Sequence, residues 1–405
     1  MNKQRNTIIL IFLLSVLALA ACMPAATPAP TQPPATTAPT AAPTTPPTQP
    51  PTAVPTTPPT QQPTTAPTTA PEAGIRGYAV YDRLKSEVRG YALGTNAEMF
   101  TYKVSTSTYL GTGQVQMVGD TLFYFSVKDQ TVTQVNKNVS TTLNFLPKNV
   151  SLGFAVSQDG KQIAWGVDTQ GQTNPGSELW IANVDGSNAK KIASIDPAAN
   201  SKWQVLRPLR FLNDGRLLFT YSPTGIGGYI LFDGFAGISV YDPAGGNNAI
   251  TPLVAPDAGG PANMCVNNVS PDLKTAVMNC SAQTRGQIIL HDLASDKLTP
   301  IPLLLEQAQA GSPVYSPSGE WLAYAAARGQ MDNEAGKAAV IPAAGGQPQV
   351  IASFNNGYVR VVAWVDEDRL LLQSVQNDQG ILWIINRDSS NLVKLADGFF
   401  AGTIK

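Results

Sequence analysis

The chain has 405 residues with 27 basic and 28 acidic side chains, so its formal net charge is −1. Nucleic-acid-binding proteins normally carry a basic patch, and this balance argues against that class. Apolar residues make up 43% and charged residues 14% of the chain, which excludes a polytopic membrane protein and a wholly disordered chain. The chain has two regions of different composition, because 17 of its 33 prolines lie between Pro24 and Pro71.

The first 21 residues have the pattern of an export signal. Basic residues at positions 3 and 5 precede an apolar run over 8–19, which is too short for an ordinary spanning helix. The run ends in Leu19-Ala20-Ala21-Cys22, which resembles a bacterial lipobox. This resemblance implies a signal peptide over 1–21 and a lipidated Cys22 that anchors the chain to a membrane surface. A plain secretory signal with an incidental cysteine is the alternative.

Residues 22–74 are expected to form a disordered linker. The segment consists almost entirely of Pro, Thr, Ala and Gln, and no aromatic residue occurs between Phe12 and Tyr78, so it has nothing to bury. Frequent prolines favour extended polyproline II at about 3.1 Å per residue, which gives a semi-rigid stalk on the order of 100 Å long. We expect the following domain to be held on the extracytoplasmic side of a bacterial cell membrane or outer membrane.

Residues 75–405 contain an internal repeat, which is clearest over 154–193. Four short strands are predicted there, with a Ser-Gln-Asp-Gly turn between the first two and an Asp-Gly turn between the last two. The first turn returns at 118–120, 213–215, 270–272, 316–319 and 366–368. Aligning the end of the third strand places seven residues in one column, spaced about 49 residues apart on average: Leu93, Asn136, Asn183, Asp242, Asp292, Pro342 and Asn386.

Four antiparallel strands at this period predict an all-β fold, a β-propeller of seven four-stranded blades, with six or eight blades as alternatives. A β-sandwich or a solenoid also stays open. The first copy begins at Arg76 and lacks its innermost strand, which residues 399–404 are predicted to supply. Such pairing would close the ring with strands from both ends and remove an exposed edge.

The repeats resemble the WD40-like repeats of the TolB family, whose copies carry a Ser-Pro-Asp-Gly-Lys turn before an apolar second strand. The resemblance covers 75–405 and is strongest at 154–193 and 312–350. It implies a TolB-like propeller. Members such as TolB also have an N-terminal α/β domain, whereas here the linker runs directly into the first blade, which departs from the family pattern.

Cysteine usage predicts one disulfide. Lipidation of Cys22 would leave an even pair, Cys265 and Cys280, on either side of the 270–272 turn. A hairpin would place them opposite each other or nearly so, with Cβ atoms about 4.5–5.5 Å apart. This is close to disulfide geometry, and an exported location permits oxidation.

The sequence offers little catalytic chemistry, and no catalytic residue, metal or cofactor is predicted. His291 is the only histidine, and its repeat column otherwise holds Ala, Val, Tyr and Ile, which indicates a structural position. A calcium site at Asp366-Glu367-Asp368 stays open, although that triplet occupies a repeat turn.

A binding surface is predicted where the longer connections of the propeller emerge. The longest repeat contains a glycine-rich stretch, 221–237, with aromatics and one acid, which suits recognition of a sugar, peptide or protein. The predicted binding residues are Trp203, Tyr221, Tyr229, Phe232, Asp233 and Phe235. An insertion packed on the propeller is the alternative. Further polar loop residues on this side are Asp168, Asn174, Arg285, Arg328, Asp332 and Glu334.

The expected function is that of a membrane-anchored cell-surface lipoprotein whose propeller binds a protein or glycan partner in the cell envelope without catalysis. Nucleic acid is not an expected partner. The alternative is a propeller hydrolase or lyase acting on extracellular glycans or peptides, which a pair of acidic side chains about 5–9 Å apart would favour. A structural or sensory module is a third possibility, because propellers host many functions.

Overall fold

The structure is a computed structural model. It describes residues 74–105, 114–148, 152–169, 175–199, 204–223, 231, 236–255, 266–279, 286–304, 307–329 and 335–405.

The described residues form 28 strands and two short 3-10 helices, at Pro197–Ala199 and Gly246–Asn248. The strands are β1 (Gly77–Asp82), β2 (Glu87–Ala92), β3 (Glu98–Lys103), β4 (Val115–Val118), β5 (Thr121–Ser126), β6 (Thr131–Asn136), β7 (Val139–Thr142), β8 (Leu152–Val156), β9 (Gln162–Thr169), β10 (Gly176–Asn183), β11 (Lys190–Ile195), β12 (Gln204–Phe211), β13 (Leu217–Pro223), β14 (Gly237–Tyr241), β15 (Ile250–Val254), β16 (Val266–Val269), β17 (Thr275–Asn279), β18 (Ile288–Asp292), β19 (Lys297–Pro300), β20 (Gln309–Tyr315), β21 (Trp321–Ala327), β22 (Gly336–Pro342), β23 (Gln349–Phe354), β24 (Tyr358–Trp364), β25 (Arg369–Gln376), β26 (Gln379–Asn386), β27 (Val393–Asp397) and β28 (Phe399–Ile404).

These strands form seven four-stranded antiparallel sheets, which we call blades 1 to 7. Blade 1 has the order β28-β1-β2-β3, and blades 2 to 7 each contain four consecutive strands, from β4–β7 to β24–β27. First strands of neighbouring blades contact one another, for example β4 with β8 and β20 with β24, so the first strands lie innermost. The predicted seven-bladed propeller is confirmed, and the six-bladed, eight-bladed, sandwich and solenoid alternatives are excluded.

The ring closes between the two ends of the propeller, as predicted. β28 pairs antiparallel with β1, from Gly77 opposite Ile404 to Tyr81 opposite Phe399. The backbone N–H of Arg76 adds a hydrogen bond to the Ile404 carbonyl at 2.9 Å. The last strand therefore completes the first blade, and β1 has no open edge.

The core lies between the blades. Each sheet buries apolar side chains against its neighbours, as Leu179 of blade 3 does with Leu206 of blade 4 and Ala79 of blade 1 does with Leu122 of blade 2. All four are fully buried or nearly so. Burying one leucine-sized side chain stabilises the fold by about 1.5–3 kcal/mol, so these contacts hold neighbouring blades together.

The turns between strands lie where the sequence repeat predicts them. All seven residues of the predicted third-strand column end that strand or directly follow it. In the first turn of blade 3, Ser157 Oγ donates to Asp159 Oδ1 at 2.6 Å, and Gly160 has φ +69°. Glycine fits this left-handed position at no steric cost. Blade 5 departs from the pattern, because Leu273 holds the equivalent position with φ +62°.

Antiparallel connectivity gives the propeller two different faces. The turns joining first to second and third to fourth strands lie on one side, which we call the turn face. The connections joining second to third strands, and one blade to the next, lie on the other side, which we call the loop face.

Candidate binding surface on the loop face

The only histidine of the chain lies on the third strand of blade 5. His291 lies on β18 between Ala276 and Leu298 of the neighbouring strands. Its Nε2 is 2.6 Å from Asp296 Oδ1 in the turn that follows. Among the described residues, no group of three or more His, Cys, Asp or Glu side chains is placed to hold a metal ion.

The predicted binding residues are only partly covered by the structure. Tyr221 lies near the loop-face end of β13, half-buried, with its ring 5.9 Å from that of Phe219. The other residues of that set lie outside the described residues, as do all three cysteines: Trp203, Tyr229, Phe232, Asp233, Phe235, Cys22, Cys265 and Cys280. Their roles stay predictions.

One residue of the 221–237 stretch has a contact that the sequence did not indicate. Leu231 is 0% exposed and packs in the apolar cluster between blades 6 and 7, although its connection joins β13 to β14 of blade 4. Its backbone N–H donates to Gln309 Oε1 at 3.2 Å. A methyl group added at Gly311 would overlap the Leu231 carbonyl oxygen. Leu231 therefore packs against blades 6 and 7, although its connection belongs to blade 4. This is the contact expected of an insertion that packs on the propeller.

Asp168 takes part in an ion pair between blades. Both of its carboxylate oxygens accept hydrogen bonds from the Arg207 guanidinium, at 2.7 and 2.6 Å. Asp168 is the penultimate residue of the second strand of blade 3, and Arg207 lies on the innermost strand of blade 4. Both carboxylate oxygens thus have a charged hydrogen-bond donor. Asp168 therefore links blades 3 and 4, and its charge is already paired on the loop face.

A cavity opens on the loop face at the seam where blades 7 and 1 meet. Its volume is about 280 Å³, just below the range of about 300–1,000 Å³ typical of ligand sites. The walls come from the β1–β2 turn, the β25–β26 turn and the β27–β28 connection. The residues that line this seam cavity are Tyr81, Asp82, Arg83, Leu84, Asp378, Gln379, Gly380, Asp397, Gly398 and Phe399.

The seam cavity combines an aromatic surface with an exposed aliphatic side chain. The Arg83 guanidinium lies over the Phe399 ring, 5.4 Å from its centroid, which is within cation–π range. Leu84, at the tip of the β1–β2 turn, is 87% exposed. The cavity therefore has an apolar side chain at its edge, next to the Arg83–Phe399 pair.

Each carboxylate of the seam cavity has a cationic neighbour. Asp82 Oδ2 is 3.2 Å from Lys85 Nζ, and its Oδ1 accepts the backbone N–H groups of Leu84 and Lys85. Asp397 Oδ1 is 2.8 Å from Lys394 Nζ. Asp378 Oδ1 lies 4.0 Å from Arg83 Nη1. The three negative charges are therefore balanced by three positive ones.

Ring closure is the signal that could have located this cavity. The sequence predicted that 399–404 would join the first copy, which brings the chain after Tyr81 next to the chain before Phe399. The β25–β26 turn of the last blade borders the same seam.

Comparisons with known proteins identify the fold and no family. No protein-family model matches the chain, and no curated protein matches it. TolB from Acinetobacter baumannii is distantly similar in structure, at 10% identity and a TM-score of 0.38, over 81% of this chain and 67% of that chain. An oligogalacturonate lyase from Vibrio parahaemolyticus is 11% identical, with a TM-score of 0.43, over 74% of this chain and 87% of its own.

A higher TM-score, 0.53, belongs to a puromycin-hydrolyzing peptidase from Mycobacterium tuberculosis, which is 10% identical. That match covers 80% of this chain but 54% of the peptidase, so this chain spans about half of it. Identities this low show the propeller fold alone. In the part of the chain that the structure describes, no helix is long and apolar enough to cross a membrane.

Proposed function

We propose that this chain is a membrane-anchored binding module whose propeller engages a protein or glycan partner of the bacterial cell envelope without catalysis. The lipobox-like Leu19-Ala20-Ala21-Cys22 and the proline-rich segment after it support a tethered, extracytoplasmic domain. The seam cavity carries the binding proposal, because it joins the Phe399 ring, the exposed Leu84 and paired charges in one concave place.

The anchor is tested by fractionating cells that express the full chain. Wild-type protein is expected with membranes, and Cys22→Ala is expected to release it, because the thiol that receives the lipid is gone. A Cys22→Ala protein that stays with membranes as the wild type does would refute the lipid anchor.

The binding surface is tested by site-specific photo-crosslinking in living cells. A photoreactive amino acid replaces Leu84 in one full-length variant and Leu298 in the control. Leu298 is also an exposed leucine, on the outer strand β19 of blade 5. Position 84 is expected to give discrete cross-linked species that position 298 lacks. Equal patterns at both positions, or no product at 84, would contradict loop-face binding at the seam.

The 221–237 connection is tested separately with a Phe232→Ala/Phe235→Ala double variant. Loss of the position-84 products in this variant would extend the binding surface across the loop face. Unchanged products would remove those two aromatics from it and leave the seam cavity as the site.

A further inference from the structure

We infer that the seam cavity binds an uncharged saccharide unit, and that bound saccharide strengthens the closure of the ring. This inference rests on the proposed binding function and names its ligand class. Three features of the cavity support it: its charge balance, the chemistry of its walls, and its position between the first and last strands.

Charge balance selects a neutral ligand. Asp82, Asp378 and Asp397 each lie within 4.0 Å of a cationic nitrogen, so a strongly basic or acidic ligand would gain little net attraction here. A charged ligand would also have to compete with these existing pairs. An uncharged ligand needs no such exchange, and its binding is insensitive to screening by salt.

The walls match the two kinds of surface that a sugar presents. Leu84 offers apolar area for the C–H face of a sugar ring, beside the Phe399 ring that carries the Arg83 guanidinium. The exposed carboxylates of Asp378 and Asp397 accept hydrogen bonds from hydroxyl groups, and the Gln379 side-chain amide both donates and accepts. Hydrogen bonds to a charged acceptor are stronger than neutral ones. A hydroxyl-rich neutral ring therefore uses every wall of the cavity.

The position of the cavity predicts a second effect. Its walls include residues from both β1 and β28, which are the first and last strands of the propeller. A ligand that touches both strands binds the closed ring and not the open one, so it raises the stability of the closed state by mass action. Thermal stability should rise with saccharide concentration.

The test uses the full chain carrying Cys22→Ala and a panel of neutral trisaccharides of glucose, galactose, mannose and N-acetylglucosamine. Tri-lysine and tri-glutamate serve as charged probes. Titration calorimetry is expected to detect at least one neutral sugar, with an affinity that changes less than about twofold between 50 and 500 mM NaCl, and the same sugar should raise Tm.

Two variants locate the site, and a third controls for the face. Asp378→Asn is compatible with the local backbone, because Asn tolerates the φ of +59° found at this position. It should weaken sugar binding about tenfold, and Leu84→Ala should weaken it less. Lys128→Ala, in the loop-face turn of blade 2, should leave affinity unchanged. Unliganded Tm values show whether each variant is folded.

The results separate this inference from the proposed function. If no neutral sugar binds, or if binding ignores both Asp378→Asn and Leu84→Ala, the saccharide inference is overturned. Binding of only a charged peptide, lost at high salt, also overturns it. In either case cross-linking at position 84 would still support a binding module, whereas its failure would remove the proposed function as well.

Discussion

Leu231→Ala tests whether the connection between β13 and β14 is fixed to blades 6 and 7. Leu231 is fully buried in their apolar cluster, and truncating a buried leucine costs about 2.7–5 kcal/mol. Taking about 3 kcal/mol, and about 2 °C for each kcal/mol in a large folded unit, Tm should fall by about 6 °C. Leu84→Ala is the matched control, because it removes the same atoms from an exposed leucine on the same face and should cost less than about 0.5 kcal/mol.

Gly311→Ala tests the contact between Leu231 and blade 6 by changing the blade 6 residue. The added methyl group would overlap the Leu231 carbonyl oxygen, so the connection must move away and its packing is lost. In Leu231→Ala the packing is already lost, and the second substitution should then cost less. Thermal unfolding of both single variants and the double variant should give a coupling of about 1 kcal/mol or more. Strictly additive costs, or a Leu231→Ala as mild as Leu84→Ala, would refute this contact.

Three further predictions concern the turns, the charges and the cysteines. Gly215→Ala should destabilise the protein by about 1–2 kcal/mol, because Gly215 has φ +85° in open space; Gly74→Ala, equally open but without this φ, should be neutral in urea unfolding. Hydrogen bonds from Lys103 and Arg89 lower the pKa of Glu87 to about 2, so its stabilising effect is complete above pH 4.5 and disappears towards pH 2. Glu87→Gln should therefore flatten the fall of Tm over that interval, and an unchanged acid profile would count against the network. Non-reducing peptide mapping should find Cys265 joined to Cys280, and free thiols at both would rule out the disulfide.

The blade pattern was predictable from the sequence because the physics that sets it is local. In blades 3 to 6 the first turn has a side chain that accepts a backbone hydrogen bond of the turn and a residue with positive φ, as Asp159 and Gly160 are in blade 3. These needs recur from copy to copy and leave a visible period. Ring closure was predictable for a related reason, since the first copy had three strands and one strand remained after the last.

The position of Leu231 could not be predicted in this way. Its partners Gln309 and Gly311 lie about 80 residues further along the chain, and nothing in the local pattern links them to blade 4. An apolar residue in a glycine-rich connection fits a recognition loop and a packed insertion equally well. Only the tertiary contact distinguishes the two interpretations for Leu231.

The turn face and the seam cavity differ in how their polar groups are used. On the turn face, Ser157 hydrogen-bonds to Asp159 and lowers the pKa of that carboxyl. Neighbouring blades are also joined there, because the Ser318 N–H and hydroxyl both donate to the Glu367 carboxylate, at 2.6 and 2.8 Å. A ligand on this face would have to replace hydrogen bonds that hold the turns and blades together.

On the loop face at the seam, the carboxylates of Asp378 and Asp397 each have one cationic neighbour and remain exposed to water. A ligand can therefore use their remaining acceptor positions without breaking the fold. The connections on this side also differ from blade to blade in length and composition, so they can change without disturbing the repeated turns. Function is thus expected where the repeat pattern changes, and the seam is the place where the first and last strands of the propeller meet.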